Sequence, residues 1–141
     1  MTTGVSSYAS WHTPATDYPR IQVGNFRIAS HRYSKGYYSM SGLLDSALFQ
    51  VTRPLTITNL QEYRGGKWHT WMVDDPPHQE AMKFYASKAQ GRVLTTGLGL
   101  GLVVHALSAN PDVTKVTVVE MSADVIGLVG GLVPPCEMVQ G

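Results

Sequence analysis

Cysteine is almost missing from this chain of 141 residues. Cys136 stands alone, so no internal disulfide can form, and a lone thiol fits a reducing compartment. Charge is also sparse: 15% of residues are charged, with 11 basic against 10 acidic and a net charge of +1. The basic residues are scattered without a dense run, so composition gives no support to a nucleic-acid partner. No apolar run approaches the roughly 18–20 residues that a membrane helix needs. The longest apolar stretch, residues 98–107, is interrupted by His105. The first thirty residues are polar and carry no apolar segment behind a basic start, which excludes a recognisable secretory leader. The five histidines show no metal-ligand spacing with Cys or acidic residues, so no metal site is expected. A soluble cytoplasmic protein with no membrane segment is the expectation.

What is present is a folding sequence, 43% hydrophobic and one domain's worth in length. Residues 1–18 are rich in Ser, Thr, Ala and Pro without periodicity and read as a loosely held arm. Residues 19–75 read as a β-rich N-terminal region. Residues 21–29 alternate around Gly24-Asn25, and an aromatic-rich segment follows. Residues 43–51 read as a short helix, with Leu44, Ala47 and Leu48 on one face and Pro54 ending it. Two alternating runs flank Gly65-Gly66 and predict a β-hairpin. Asp74-Asp75-Pro76-Pro77 predicts a capped helix start, with Glu80 favouring the positive end of the dipole. That helix is expected to run to about Gln90, stop at Gly91, and turn Ala81, Phe84, Tyr85 and Ala89 inward.

Residues 76–141 then change character. Val93 to Thr96 reads as a buried strand, Gly97-Leu98-Gly99-Leu100-Gly101 as a tight turn, and residues 100–109 as a helix. Val116 to Glu120 is the next strand, Ser122 caps another helix, and residues 136–139 begin a third strand. The pattern is α/β, with about three parallel strands. Gly97 can take a positive φ for the turn, and Gly99 has no side chain to block a ligand over the helix start. Free N–H groups at that end favour an electronegative group, while Leu98, Leu100 and Leu102 pack against the sheet. Glu120 follows Gly97 by 23 residues, at the carboxyl end of the neighbouring strand. Its two oxygens can accept from both hydroxyls of a ribose. A dinucleotide site of the usual kind wants a further glycine where Leu102 stands, so the spacing argues away from a nicotinamide cofactor.

On these residues the chain from about Lys67 resembles the class I S-adenosylmethionine-dependent methyltransferase superfamily, closest to its spermidine-synthase-like branch. The glycine turn is similar to that family's first motif, and Lys115 to Ile126 to its second strand and following helix. The segment entering the preceding helix, Trp71 to Met82, matches more loosely. The resemblance implies a partial Rossmann-like methyltransferase fold behind a small hairpin-rich N-terminal region. It implies S-adenosylmethionine, or its decarboxylated form, as cofactor, and a small-molecule acceptor. The implied cofactor contacts are Thr96, Gly97, Leu98, Gly99 and Gly101 in the turn, Glu120 on the ribose and Met121 against the adenine. Thr96 stands where the family commonly has an acid. The strand that normally supplies catalytic residues is not in the chain, which therefore reads as a C-terminally truncated member with no residue nominated for catalysis.

Simpler uses compete for the other candidates. Capping explains Asp74 and Asp75 without acid–base chemistry, and a solvated first turn explains His78 and Glu80. His105 reads as a packed residue, Trp68, Trp71, Tyr37 and Tyr38 as hairpin packing rather than a substrate wall, and Cys136 as a small hydrophobe. A parallel sheet ending after three strands predicts self-association through its unfinished edge. A non-catalytic interaction domain is thus the competing reading, and a nicotinamide-dependent oxidoreductase a weaker one.

Overall fold

The computed structural model describes residues 5–40 and 47–141. They form a mixed α/β structure with ten strands in three sheets and three helices. Among the described residues no helix is long and apolar enough to cross a membrane.

The largest sheet is antiparallel, in the order β2 (Gln22–Val23), β3 (Phe26–Tyr33), β6 (Leu55–Arg64), β7 (Lys67–Val73). Gly65 and Gly66 close the expected hairpin with φ of 61° and 83°. Two positive φ angles match the right-handed strand twist, which is why a Gly-Gly pair suits this turn. A smaller sheet runs β1 (Ser6–Tyr8), β5 (Ala47–Val51), β4 (Gly36–Met40). Here the helix expected over 43–51 is corrected. Residues 43–46 lie outside the described residues, and Ala47–Val51 is a strand. Period-two burial explains it: Phe49 (4% exposed) and Val51 (0%) face inward while Leu48 (51%) faces out. Phe49 stacks on Tyr38 at 5.6 Å, so an aromatic cluster overrides the helical spacing of the small residues before it.

Helix α1 (Pro76–Ser87) starts as expected, with Asp75 as cap and Pro76 in its first turn. Glu80 lies beyond that turn, which holds no acid. The helix ends before Gln90, and Gly91 (φ 69°) opens β8 (Gly91–Thr96) instead of stopping the helix. The Asn110 side-chain amide donates to the carbonyls of Ala86 and Ala89, satisfying groups the helix end leaves open. The inward face is also corrected. Ala81 and Ala86 are buried, whereas Phe84 and Tyr85 are about half exposed. Small residues let α1 approach α2 (Leu102–Ser108), and the large rings turn outward. Helix α2 begins at Leu102 and not Leu100, because Gly99 and Gly101 hold left-handed φ of 54° and 73°.

β8, β9 (Val113–Glu120) and β10 (Glu137–Gln140) form an all-parallel sheet in the order β10-β9-β8, with α3 (Ala123–Val129) between the last two strands. Ser122 caps α3, its hydroxyl accepting from the Val125 amide at 3.2 Å. Val118, central in β9, is fully buried beneath the helices. The opposite face carries Leu94 (65% exposed) and Val139 (39%) in the open.

One core joins the antiparallel sheet to the parallel one: Phe26, Ile28 and Leu60 pack in the same cluster as Leu100, Val104, Val118 and Leu128. The N-terminal segment expected as a loose arm is held along its described length, Tyr8 and Trp11 against a smaller cluster of Phe49, Val51 and Leu55, and Ala15 and Tyr18 in this core. β1 pairs with β5, Ala15 and Tyr18 are buried, and the Tyr18 hydroxyl donates to the Leu100 carbonyl at 2.9 Å. The Trp11 indole donates to the Asp74 carbonyl at 2.6 Å. The reading as an arm rested on absent periodicity, which says nothing about contacts made one residue at a time.

Candidate functional site

Strand β8 delivers the chain to Gly97, whose φ of 83° begins the reversal, and the Gly97 amide donates to Val119 at 2.8 Å. The turn therefore stays tied to the end of β9. Glu120 completes the tie: its carboxylate accepts from the Leu98 amide on one oxygen and the Ser122 amide on the other, both at 2.8 Å. A carboxylate offers about four acceptor positions, so each oxygen keeps one for an outside donor.

A cavity of about 260 Å³ opens beside this carboxylate. Gly99, Glu120, Met121 and Ser122 line one side; Phe26, Leu60, Glu62, Trp71 and Met72 of the antiparallel sheet line the other. Of the residues expected from sequence, the structure brings Gly99, Glu120 and Met121 together there. Met121 is 74% exposed, free to lie against a flat ligand. The remaining four do not line the cavity. Thr96 is exposed at the end of β8. Gly97 faces open space. Leu98 points its side chain into the core and contributes its amide to Glu120. Gly101 serves packing: a Cβ there would lie 2.2 Å from Val133. Gly99 is also partly roofed, its missing Cβ falling 3.4 Å from Met72.

The wall from β3, β6 and β7 was not legible as a site. Trp71 was assigned to hairpin packing, and it does meet Phe26 edge-on at 5.6 Å and donates to Glu62 at 2.8 Å. It also borders the cavity while half exposed. Trp68 and Tyr63 pack together at 5.2 Å, with the Arg27 guanidinium 4.0 Å above the Trp68 ring. Tyr37 is exposed, and Tyr38 belongs to the Phe49 cluster.

The two aspartates before α1 part company. Asp74 is fully buried and holds the N-terminal segment to β6, accepting from the Thr58 amide at 2.6 Å and from the Thr13 hydroxyl. Asp75, equally buried, caps α1 and accepts from the His78 ring Nδ1 at 2.6 Å and the Tyr33 hydroxyl at 2.7 Å. Burial alone would raise the Asp75 pKa. Hydrogen bonds from His78 and Tyr33 outweigh it and hold the carboxyl below its ordinary value. His78 is thus corrected from a solvated first-turn residue to a mostly buried one, its side chain 18% exposed; Glu80 is solvated as read. His105 packs as expected, its Nε2 2.8 Å from the Tyr18 hydroxyl, and burial lowers its pKa. Cys136 is half-buried against the core, and burial raises its thiol pKa. Among the described residues, no group of three His, Cys, Asp or Glu side chains could hold a metal ion.

No protein-family model, no curated protein and no solved structure matches this chain. The geometry of the cavity beside Glu120 and of the side chains around it therefore carries the functional reading alone.

Proposed function

We propose that the chain is a transferase-family domain of the S-adenosylmethionine-dependent class, its parallel sheet the first part of a Rossmann-like unit and the cavity beside Glu120 its nucleoside site. One observation supports this most: the glycine turn and Glu120 are joined through the Leu98 amide, with two carboxylate acceptor positions left over. The donors and acceptors fit the adenosine part of the cofactor. Glu120 would take the ribose hydroxyls and Met121 the adenine face. A cavity of about 260 Å³ suits a nucleoside and falls short of the roughly 300–1,000 Å³ usual for larger ligands. Nothing in the turn offers a carboxylate to the cofactor's ammonium group, so the aminoacyl part is held by backbone or left in solvent. Bound, such a cofactor supplies an electrophilic carbon on a sulfonium; the protein's part is orientation and a dry wall of Phe26, Leu60 and Trp71.

Calorimetric titration tests this. S-adenosylmethionine or its decarboxylated form should bind the wild-type chain, with affinity falling at least about tenfold in Glu120→Gln and measurably in Met121→Asp. Met121 is exposed, so its variant keeps the fold while placing a negative charge under the adenine. No binding to the wild type, or equal binding to both variants, overturns the assignment.

The uncovered face of the parallel sheet favours a second reading, a non-catalytic interaction domain. Parallel sheets are ordinarily covered on both faces, and Leu94 and Val139 stand open on this one.

A further inference from the structure

Next to the nucleoside cavity lies a second one of about 310 Å³, and Trp71 and Met72 border both. His31, Tyr33, Asn59, Thr70 and His78 line it with Trp71. The Asp75 carboxylate accepts from Nδ1 of His78, so the neutral form of the ring carries its proton there and offers Nε2 as an acceptor. Nε2 has no partner among the described residues. A buried carboxylate behind a histidine in this way fixes its tautomer and stabilises the ring if it takes a proton. Capping needs only the Asp75 contact to the His78 amide, at 3.2 Å. The shorter bond to the ring is an addition to the cap.

Asn59 stands in the same cavity wall. It is 4% exposed, and its Oδ1 has no hydrogen-bond partner, while its Nδ2 donates to Thr70 at 3.2 Å. A buried acceptor left unpaired costs roughly 1–3 kcal/mol. This one belongs to a residue lining the same cavity as His78. Asn59 Oδ1 is itself closed to solvent, so His78 Nε2 is the acceptor left for a space walled by the rings of His31, Tyr33 and Trp71.

The geometry points to a binding site for a small neutral aromatic alcohol of the phenol type, its hydroxyl donating to His78 Nε2 and its ring lying among Tyr33, His31 and Trp71. Neutrality follows from the carboxylates. Asp75 is fully buried with both oxygens engaged, so it cannot meet an ammonium group directly. Glu62 borders the neighbouring cavity and accepts from Trp71. A cation placed here would lose its water without gaining an ion pair. This site does not require the cofactor, and its failure would leave the nucleoside reading standing.

The probe is phenol itself, titrated into the wild-type chain without cofactor, followed by amide shifts and by the His78 ring nitrogens. Phenol should bind at least about tenfold tighter than anisole, which has the ring but no donor, and move the Nε2 signal. Benzylamine should bind more weakly than phenol. His78→Phe should keep the aromatic wall and lose the preference for phenol over anisole. Equal binding of phenol and anisole to the wild type would reduce the cavity to an apolar crevice and overturn the proposal. Tighter binding of benzylamine would overturn the neutral class, and absence of phenol binding would overturn the site.

Discussion

The carboxylate of Asp75, closed off from solvent, accepts from the amide and ring of His78 on one oxygen and from the Tyr33 phenol on the other. Burial pushes the Tyr33 phenol up, and so does its contact with Asp75, the one contact of those holding the carboxyl down that the two residues share. A depressed carboxylate pKa contributes stability that is present above the unfolded value of about 3.9 and lost as pH falls through the folded one. His105, lowered by burial, acts in the same direction at higher pH, its contribution shrinking as pH drops below about 6.5. Asp75→Asn should therefore lower unfolding stability at neutral pH by about 2–3 kcal/mol. It should also flatten the acid limb below about pH 4, since the titrating group is gone. Urea denaturation at pH 7 and pH 3 measures both. An equal loss at the two pH values would show that the cap geometry, and not the ionised carboxylate, carries the effect.

Among the elements, the N-terminal segment depends most on single side chains. Thr13 is buried, donates to Asp74 and accepts from the Ala15 amide at 3.1 Å. Thr13→Val keeps the shape but leaves Asp74 and Ala15 each short of a partner, at an expected cost of about 1–3 kcal/mol. The urea midpoint should fall with its slope unchanged; a change in slope would instead signal that the segment had detached. The hairpin at Gly65-Gly66, the capped starts of α1 and α3, and the strand–glycine–helix order were legible because each is a local signal a few residues long. The docking of residues 5–18 was not, because its partners Asp74 and Leu100 lie 61 and 82 positions from Thr13 and Tyr18. The strand at Ala47–Val51 was missed because short apolar runs fit either period until a neighbour selects one.

For the whole molecule, the open face of the parallel sheet is the feature most exposed to test. Leu94, Thr96 and Val119 lie on that face in register across β8 and β9, with Val139 beyond them on β10. If copies associate through it, Leu94→Lys should shift the chain toward the monomer in size-exclusion chromatography at constant loading. A wild type that already elutes as a monomer at high concentration would remove the interaction reading. The candidate site divides along the same line between near and far in sequence. Gly99 and Glu120 could be placed from the spacing of two motifs, and Met121 from the family resemblance those motifs carry. Trp71 and Met72 meet Gly99 and Glu120 because the antiparallel sheet lies against the glycine turn, with α3 packed on β2 and β3, and Asn59 meets His78 across β6 and α1. The fastening of the first segment also has a consequence in time. Residues 5–18 leave the ribosome before their anchors at Val51, Asp74 and Leu100, which are made much later. Contacts so distant in sequence slow folding, because the loop must close before the bonds reward it. A segment synthesised ahead of all these anchors is thus among the last to find its place.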